Sequence, residues 1–193
     1  MKLLHLDASS LGQHSVSREL SAAIVDQLAQ ENPSLQVTYR DLSAHPLPHW
    51  TPVMDAASDA AQLSQAVMDE FQAADILVIG APMYNFGIPS QLKAWIDRVV
   101  VAGKTFRYTE AGPEGLAGGK RVIIASSRGG VYSTGPAAGL DFQENYLRAV
   151  LNFIGIDEVE FIRAEGVNLS AEHKVKAIAT ARHSIGSLAS KAA

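Results

Sequence analysis

Two short uninterrupted apolar runs, Ile76-Leu77-Val78-Ile79 and Val122-Ile123-Ile124-Ala125, constrain this chain more than any other feature. Neither alternates with polar residues, so each predicts a strand covered on both faces, as in a parallel sheet between helices. Leu3-Leu4-His5-Leu6, an alternating stretch over 35–39 and Val159-Glu160-Phe161-Ile162 supply three more strands. Apolar residues at helical spacing over 17–28, 62–73, 90–101, 141–153 and 171–188 separate them. The alternation implies an α/β protein with a doubly wound, five-stranded parallel sheet and helices on both faces. Right-handed crossovers favour strand order 2-1-3-4-5, with a ligand beside strands one and three, where the winding reverses.

The 193 residues suit one domain spanning 1–193, and no repeat, linker or low-complexity tract divides them. A formal charge of −4 without any Lys/Arg cluster argues against nucleic acid as a partner. Cysteine is absent, which removes thiol catalysis and Cys-ligated metals, so any redox chemistry needs a borrowed cofactor. The first apolar run is too short for a signal-peptide core, and no run approaches the roughly 18–20 residues that span a bilayer. A cytoplasmic protein without membrane insertion is expected. Two connections, 44–59 with Trp50 among three prolines and the glycine-rich 103–120, are long enough to be functional or interface loops.

Three loops follow the strands nearest the expected site. Residues 7–17 bring Ser9, Ser15 and Ser17 to the start of the first helix, where hydroxyls, backbone N–H groups and the helix's positive end suit a phosphate. One serine would suffice as a cap. After strand three, Pro82-Met83-Tyr84-Asn85-Phe86-Gly87-Ile88-Pro89 offers two aromatics and an amide between prolines, which suits a flat heteroaromatic ring. After strand four, the glycine pair of Ser127-Arg128-Gly129-Gly130 lets backbone approach a ligand closely. Arg128 itself reads equally as a surface cation or as a charge at the edge of a bound ring.

Sharper motifs fail. No G-x-G-x-x-G follows a strand, and Gly119-Lys120 lacks the rest of a P-loop. The six histidines form no metal-binding pattern, Ser9 lacks a nucleophile-elbow sequence, and Asp7 stands without the second acid a receiver domain needs.

Three segments carry a resemblance: Ala81-Pro82-Met83-Tyr84-Asn85-Phe86 joined to Pro89-x-x-Leu92-Lys93-x-x-x-Asp97; Thr105-Phe106-Arg107-Tyr108-Thr109-Glu110 with Gly112-Pro113-Glu114-Gly115-Leu116; and Ser127-Arg128-Gly129-Gly130. Over essentially its whole length the chain resembles the FMN-dependent NADH azoreductases, flavodoxin-like proteins that also reduce quinones. The resemblance implies FMN phosphate at Ser9 and Ser15-Val16-Ser17, and its ring against Met83, Tyr84, Asn85, Phe86 and Ser127, Arg128, Gly129, Gly130. It further implies a homodimer with the active site at the subunit interface, where Phe106 and Trp50 would wall the pocket. NADH or NADPH would pass hydride to FMN, which then reduces a quinone or azo acceptor at the same face by ping-pong exchange. Tyr132 is a candidate for the pocket and for a proton source, and no side chain is assigned as catalytic. A flavodoxin-type electron carrier, or a reductase supplying reduced flavin, are the alternatives that such a chain also suits.

Overall fold

The computed structural model describes residues 1–52 and 55–188, so Val53 and Met54, within the 44–59 connection, lie outside the described residues. Along the chain run β1 (Lys2–Asp7), α1 (Val16–Glu31), β2 (Gln36–Asp41), α2 (Asp59–Ala73), β3 (Ile76–Pro82), α3 (Ser90–Val99), β4 (Phe106–Thr109), β5 (Gly112–Gly115), β6 (Arg121–Ser127), α4 (Glu144–Phe153), β7 (Val159–Ala164) and α5 (Ala171–Gly186). One sheet has order β2-β1-β3-β6-β7 with every neighbouring pair parallel. Counted within that sheet, this is the expected order 2-1-3-4-5.

The two continuous apolar runs divide between two cores because successive side chains of a strand point to opposite faces. Leu77, Ile79, Val122 and Ile124 join Phe71, Trp95, Leu147 and Leu151 on the face covered by α2, α3 and α4. Ile76, Val78, Ile123 and Ala125 join Leu20, Ile24, Ala181 and Ile185 on the face covered by α1 and α5. Serine side chains at 15, 58 and 170 accept a backbone N–H at the starts of α1, α2 and α5. α4 starts three residues later than the apolar spacing predicts, because the Asp141 carboxylate accepts the N–H groups of Gln143 and Glu144.

Two regions depart from the sequence reading. β2 alternates in sequence but buries neither face fully; Val37 and Tyr39 are exposed, as suits an edge strand. The 103–120 connection contains an antiparallel hairpin, β4 with β5, which packs on the end of α4. Gly115 makes that packing feasible: a Cβ there would lie 2.1 Å from the Gly155 nitrogen. Gly115→Ala is therefore expected to lower the unfolding free energy by roughly 1–3 kcal/mol in urea denaturation. Gly139→Ala, where a Cβ meets open space, should stay within about 0.5 kcal/mol of the unsubstituted protein.

Candidate functional site

Register brings the strand ends level. Asp7 pairs with Gly80, Gly80 with Ala125 and Pro82 with Ser127, so the loops after β1, β3 and β6 emerge side by side. Hydrogen bonds then join them. Ala8 N–H donates to the Gly80 carbonyl at 3.1 Å and Met83 N–H to the Ser127 carbonyl at 2.8 Å. The Tyr84 hydroxyl accepts from Ser10 N–H at 3.1 Å and lies 3.0 Å from Ser10 Oγ and 3.4 Å from Ser9 Oγ.

In the first loop Ser9, Ser15 and Ser17 are all buried. Ser15 caps α1, accepting from Arg18 N–H, and its Oγ lies 3.1 Å from that of Ser17. The cap does not exhaust the helix end. Among the described residues, the N–H groups of Val16 and Ser17 have no acceptor. Arg18, a residue the sequence reading passed over, donates from Nε and Nη2 to the Ser9 carbonyl at 3.1 and 2.7 Å, fixing the loop. Its fork also grips Asp41 at 2.6 and 2.7 Å. That pairing raises the Arg18 guanidinium above its ordinary value and holds the Asp41 carboxyl far below the carboxylate range. Burial pushes the Tyr84 phenol up, but hydrogen bonds from Ser10 and Ser9 outweigh it and leave it below the usual phenol value.

The second loop contains a tight turn closed by reciprocal bonds between Tyr84 and Gly87, each 3.0 Å. Asn85 and Phe86 occupy its corners with φ of 48° and 70°. Both angles are positive, as a type I′ turn requires. Asparagine tolerates this region; phenylalanine is strained there by roughly 1–3 kcal/mol. The Phe86 ring is half exposed, edge-on to Tyr132 with centroids 6.1 Å apart.

The third loop corrects the reading of Arg128. Its side chain is fully buried rather than presented at the surface. Nη2 lies 2.5 Å from Glu144 and 3.0 Å from Asp141, Nη1 lies 3.1 Å from Glu165, and Nε donates to Ser126 and Gln143. The loop's carbonyls are committed as well: Arg128, Gly129 and Gly130 accept from Val167, Asn168 and Gly166 at 3.1, 3.1 and 2.9 Å. The N–H groups of Gly129, Gly130 and Val131 have no acceptor among the described residues.

A search with family models matches residues 1–188 to the flavodoxin-like fold. The chain belongs to the flavodoxin-like fold family. It is 62% identical over 183 residues to the FMN-dependent NADH:quinone oxidoreductase of Stenotrophomonas maltophilia (strain K279a), covering 94% of this chain and 92% of the relative. It is 59% identical over 183 residues to FMN-dependent NADH:quinone oxidoreductase 1 of Xanthomonas axonopodis pv. citri (strain 306), covering 94% and 93%. Among solved structures, the azoreductase of Bacillus anthracis str. Sterne superimposes with a TM-score of 0.90 at 29% identity, covering 99% of both chains.

Around the three loops of this flavodoxin-like chain, the other candidate residues separate. Trp50 is half exposed and lines an open cleft of about 630 Å³ with Gly87, Ile88, Phe142 and Tyr146, beside the second loop. The Phe106 ring packs 4.7 Å from Phe153 and 5.5 Å from Tyr108, centroid to centroid. Tyr108 is the exposed aromatic of that hairpin. His5 is buried, with Nε2 2.9 Å from Ser21 Oγ. Glu165 was also missed, although an acid just past the end of β7 lies at the sheet edge where the fold places ligands.

Arg128→Met keeps an apolar stem but leaves Asp141, Glu144 and Glu165 without their shared cation. The variant is expected to lose roughly 3–5 kcal/mol of unfolding free energy in chemical denaturation. Crowded carboxylates acquire raised folded-state pKa values, and a raised carboxyl pKa removes stability as pH rises through it. The deficit should therefore shrink when denaturation is repeated at about pH 5 instead of about pH 8.

Proposed function

We propose that this chain is an FMN-dependent NADH:quinone oxidoreductase that also reduces aromatic azo compounds. One observation carries the reading. At the carboxyl ends of β1, β3 and β6, three interlocked loops leave the N–H groups of Val16, Ser17, Gly129, Gly130 and Val131 unclaimed among the described residues, beside a strained, half-exposed Phe86. Val16 and Ser17 are buried at a helix start, and Gly129 to Val131 run from half-buried to exposed; donors clustered and directed in this way fit a ligand that accepts hydrogen bonds at both ends. FMN is such a molecule, with a phosphate at one end and the carbonyls and ring nitrogens of its flat ring at the other. The names of the relatives and the azoreductase superposition support the choice.

In this reading the hydroxyls of Ser9, Ser15 and Ser17 and the N–H groups of Val16 and Ser17 hold the phosphate at the positive end of α1. Met83, Tyr84, Asn85 and Phe86 flank the ring. Ser127, Gly129 and Gly130 supply backbone contacts at its edge, while Arg128 acts from behind the loop. When bound, FMN supplies the redox chemistry, accepting hydride from NADH or NADPH and returning two electrons to the acceptor. The protein orients donor and acceptor at one face; Tyr132 and Trp50 border it, and a proton reaches the product from the Tyr132 hydroxyl or water. The half-exposed Trp50 in its cleft and the exposed Phe142 and Tyr108 support a homodimer whose second subunit completes the pocket.

Titration with FMN should give a yellow complex that turns over NADH and a quinone without a partner reductase. A protein that binds no flavin refutes the proposal, and a requirement for a partner reductase would make it an electron carrier. Double-reciprocal plots at several quinone concentrations should be parallel; intersecting lines would exclude the shared-site exchange. Phe86→Gly relieves the positive-φ strain, so its apo form should unfold within about 1 kcal/mol of the unsubstituted protein. Its FMN dissociation constant should nevertheless rise roughly tenfold or more, equivalent to about 1.4 kcal/mol.

A further inference from the structure

The third loop does not hold itself. Its direction is imposed by the turn that follows β7, where Glu165 accepts hydrogen bonds from four groups of the third loop at once. Oε1 accepts from Tyr132 N–H at 2.8 Å, Ser133 N–H at 2.9 Å and Arg128 Nη1 at 3.1 Å, while Oε2 accepts from the Ser133 hydroxyl. The neighbouring residues Gly166, Val167 and Asn168 take up the carbonyls of Gly130, Arg128 and Gly129. With every carbonyl of that stretch turned toward the β7 turn, the amides of Gly129, Gly130 and Val131 face the opposite way. The carboxylate also fixes where Tyr132 leaves the loop, and with it the edge-on contact to Phe86.

We propose that Glu165 is a positioning residue: its carboxylate, with Arg128 as counter-ion, aims the Gly129–Val131 amides and the Tyr132 ring at the ligand without touching it. The role rests on the reading of the three loops as a flavin site. Arg128 serves this arrangement by neutralising the half-buried carboxylate from its inner side, which also explains why a cation inside the loop is withdrawn from the ligand. Burial pushes the Glu165 carboxyl up, yet the Ser133 hydroxyl, the Tyr132 amide and Arg128 outweigh it and hold it below its ordinary value. The group is thereby kept as an acceptor on both oxygens.

Three variants separate geometry from charge. Glu165→Gln keeps an Oε1 acceptor for the two amides and loses the charge. Glu165→Asp keeps the charge and withdraws it by one methylene, and Glu165→Ala loses both. Positioning predicts that the aspartate and alanine variants raise the FMN dissociation constant roughly tenfold or more, while the glutamine variant stays within about threefold. In the apoprotein, amide hydrogen exchange over residues 129–133 should quicken roughly tenfold or more in the aspartate and alanine variants and stay near the unsubstituted rate in the glutamine variant. An aspartate variant that matches the unsubstituted protein in both measurements overturns the proposal. So does a glutamine variant as impaired as the alanine one, since charge would then be the operative property. An unsubstituted protein that binds no FMN defeats only the flavin reading, because exchange in the apoprotein still decides the positioning role.

Discussion

Where a buried parallel strand ends, its backbone loses the partners that satisfied it, and the loop that follows must find others or leave polar groups unpaired. In this chain three strands end level with one another, and each loop solves the problem on its neighbour. Ala8 donates to the Gly80 carbonyl, Met83 to that of Ser127, and Arg128 to that of Ala164. The ladder thus continues one step past the sheet and locks each loop to the next. Because these bonds consume donors at the loop bases and acceptors along the third loop, the amides that remain are those facing the space between the loops. The candidate site is a consequence of the sheet's termination, and its geometry is only as variable as the sheet.

The same ends must manage charge. Asp7 and Asp41 end adjacent strands, and Arg18 reaches across to both, at 3.8 Å from Asp7 and 2.6 Å from Asp41. On the other side Arg128 lies among Asp141, Glu144 and Glu165, with Arg163 adding a second cation to Glu144 at 2.7 Å. Such groups are costly to bury singly and tolerable in a network of opposite charges. Gln143 completes this one, donating to the Ala81 carbonyl at 2.9 Å while accepting from Ser126 and Arg128. It ties the end of β3 to the end of β6 without adding charge.

Much of this was legible in the sequence, and what was not has physical causes. The apolar runs at 76–79 and 122–125 revealed central strands because burial on both faces removes the need for polar residues. With the Leu3–Leu6 strand, they also placed Ser9, Met83 and Ser127 at one end of the sheet. The hairpin was invisible because β5 is Gly112-Pro113-Glu114-Gly115, a segment without any strand signature, held by packing against α4. Phe106 and Tyr108 lie on one face by strand periodicity, and only the position of α4 decides that the first is covered and the second exposed. Arg128 was ambiguous because its burial depends on carboxylates from two distant segments, 141–144 and the turn after β7. The positive φ of Phe86 was likewise hidden, since a turn that suits Gly or Asn gives no warning when phenylalanine is forced into it.

One consequence unites the two ion clusters. Both cations nearest the three loops are already neutralised, Arg18 by Asp41 and Arg128 by its three carboxylates, so neither confronts a ligand as a bare charge. Attraction for an anionic group must then come from oriented dipoles, the first N–H groups of α1 at one end and the Gly129–Val131 amides at the other. Dipoles act over short distances and in fixed directions, whereas a free guanidinium would draw any anion within reach. Spending the arginines on loop geometry therefore exchanges general attraction for selectivity in shape. A field set by backbone donors keeps its direction for as long as the loops keep theirs.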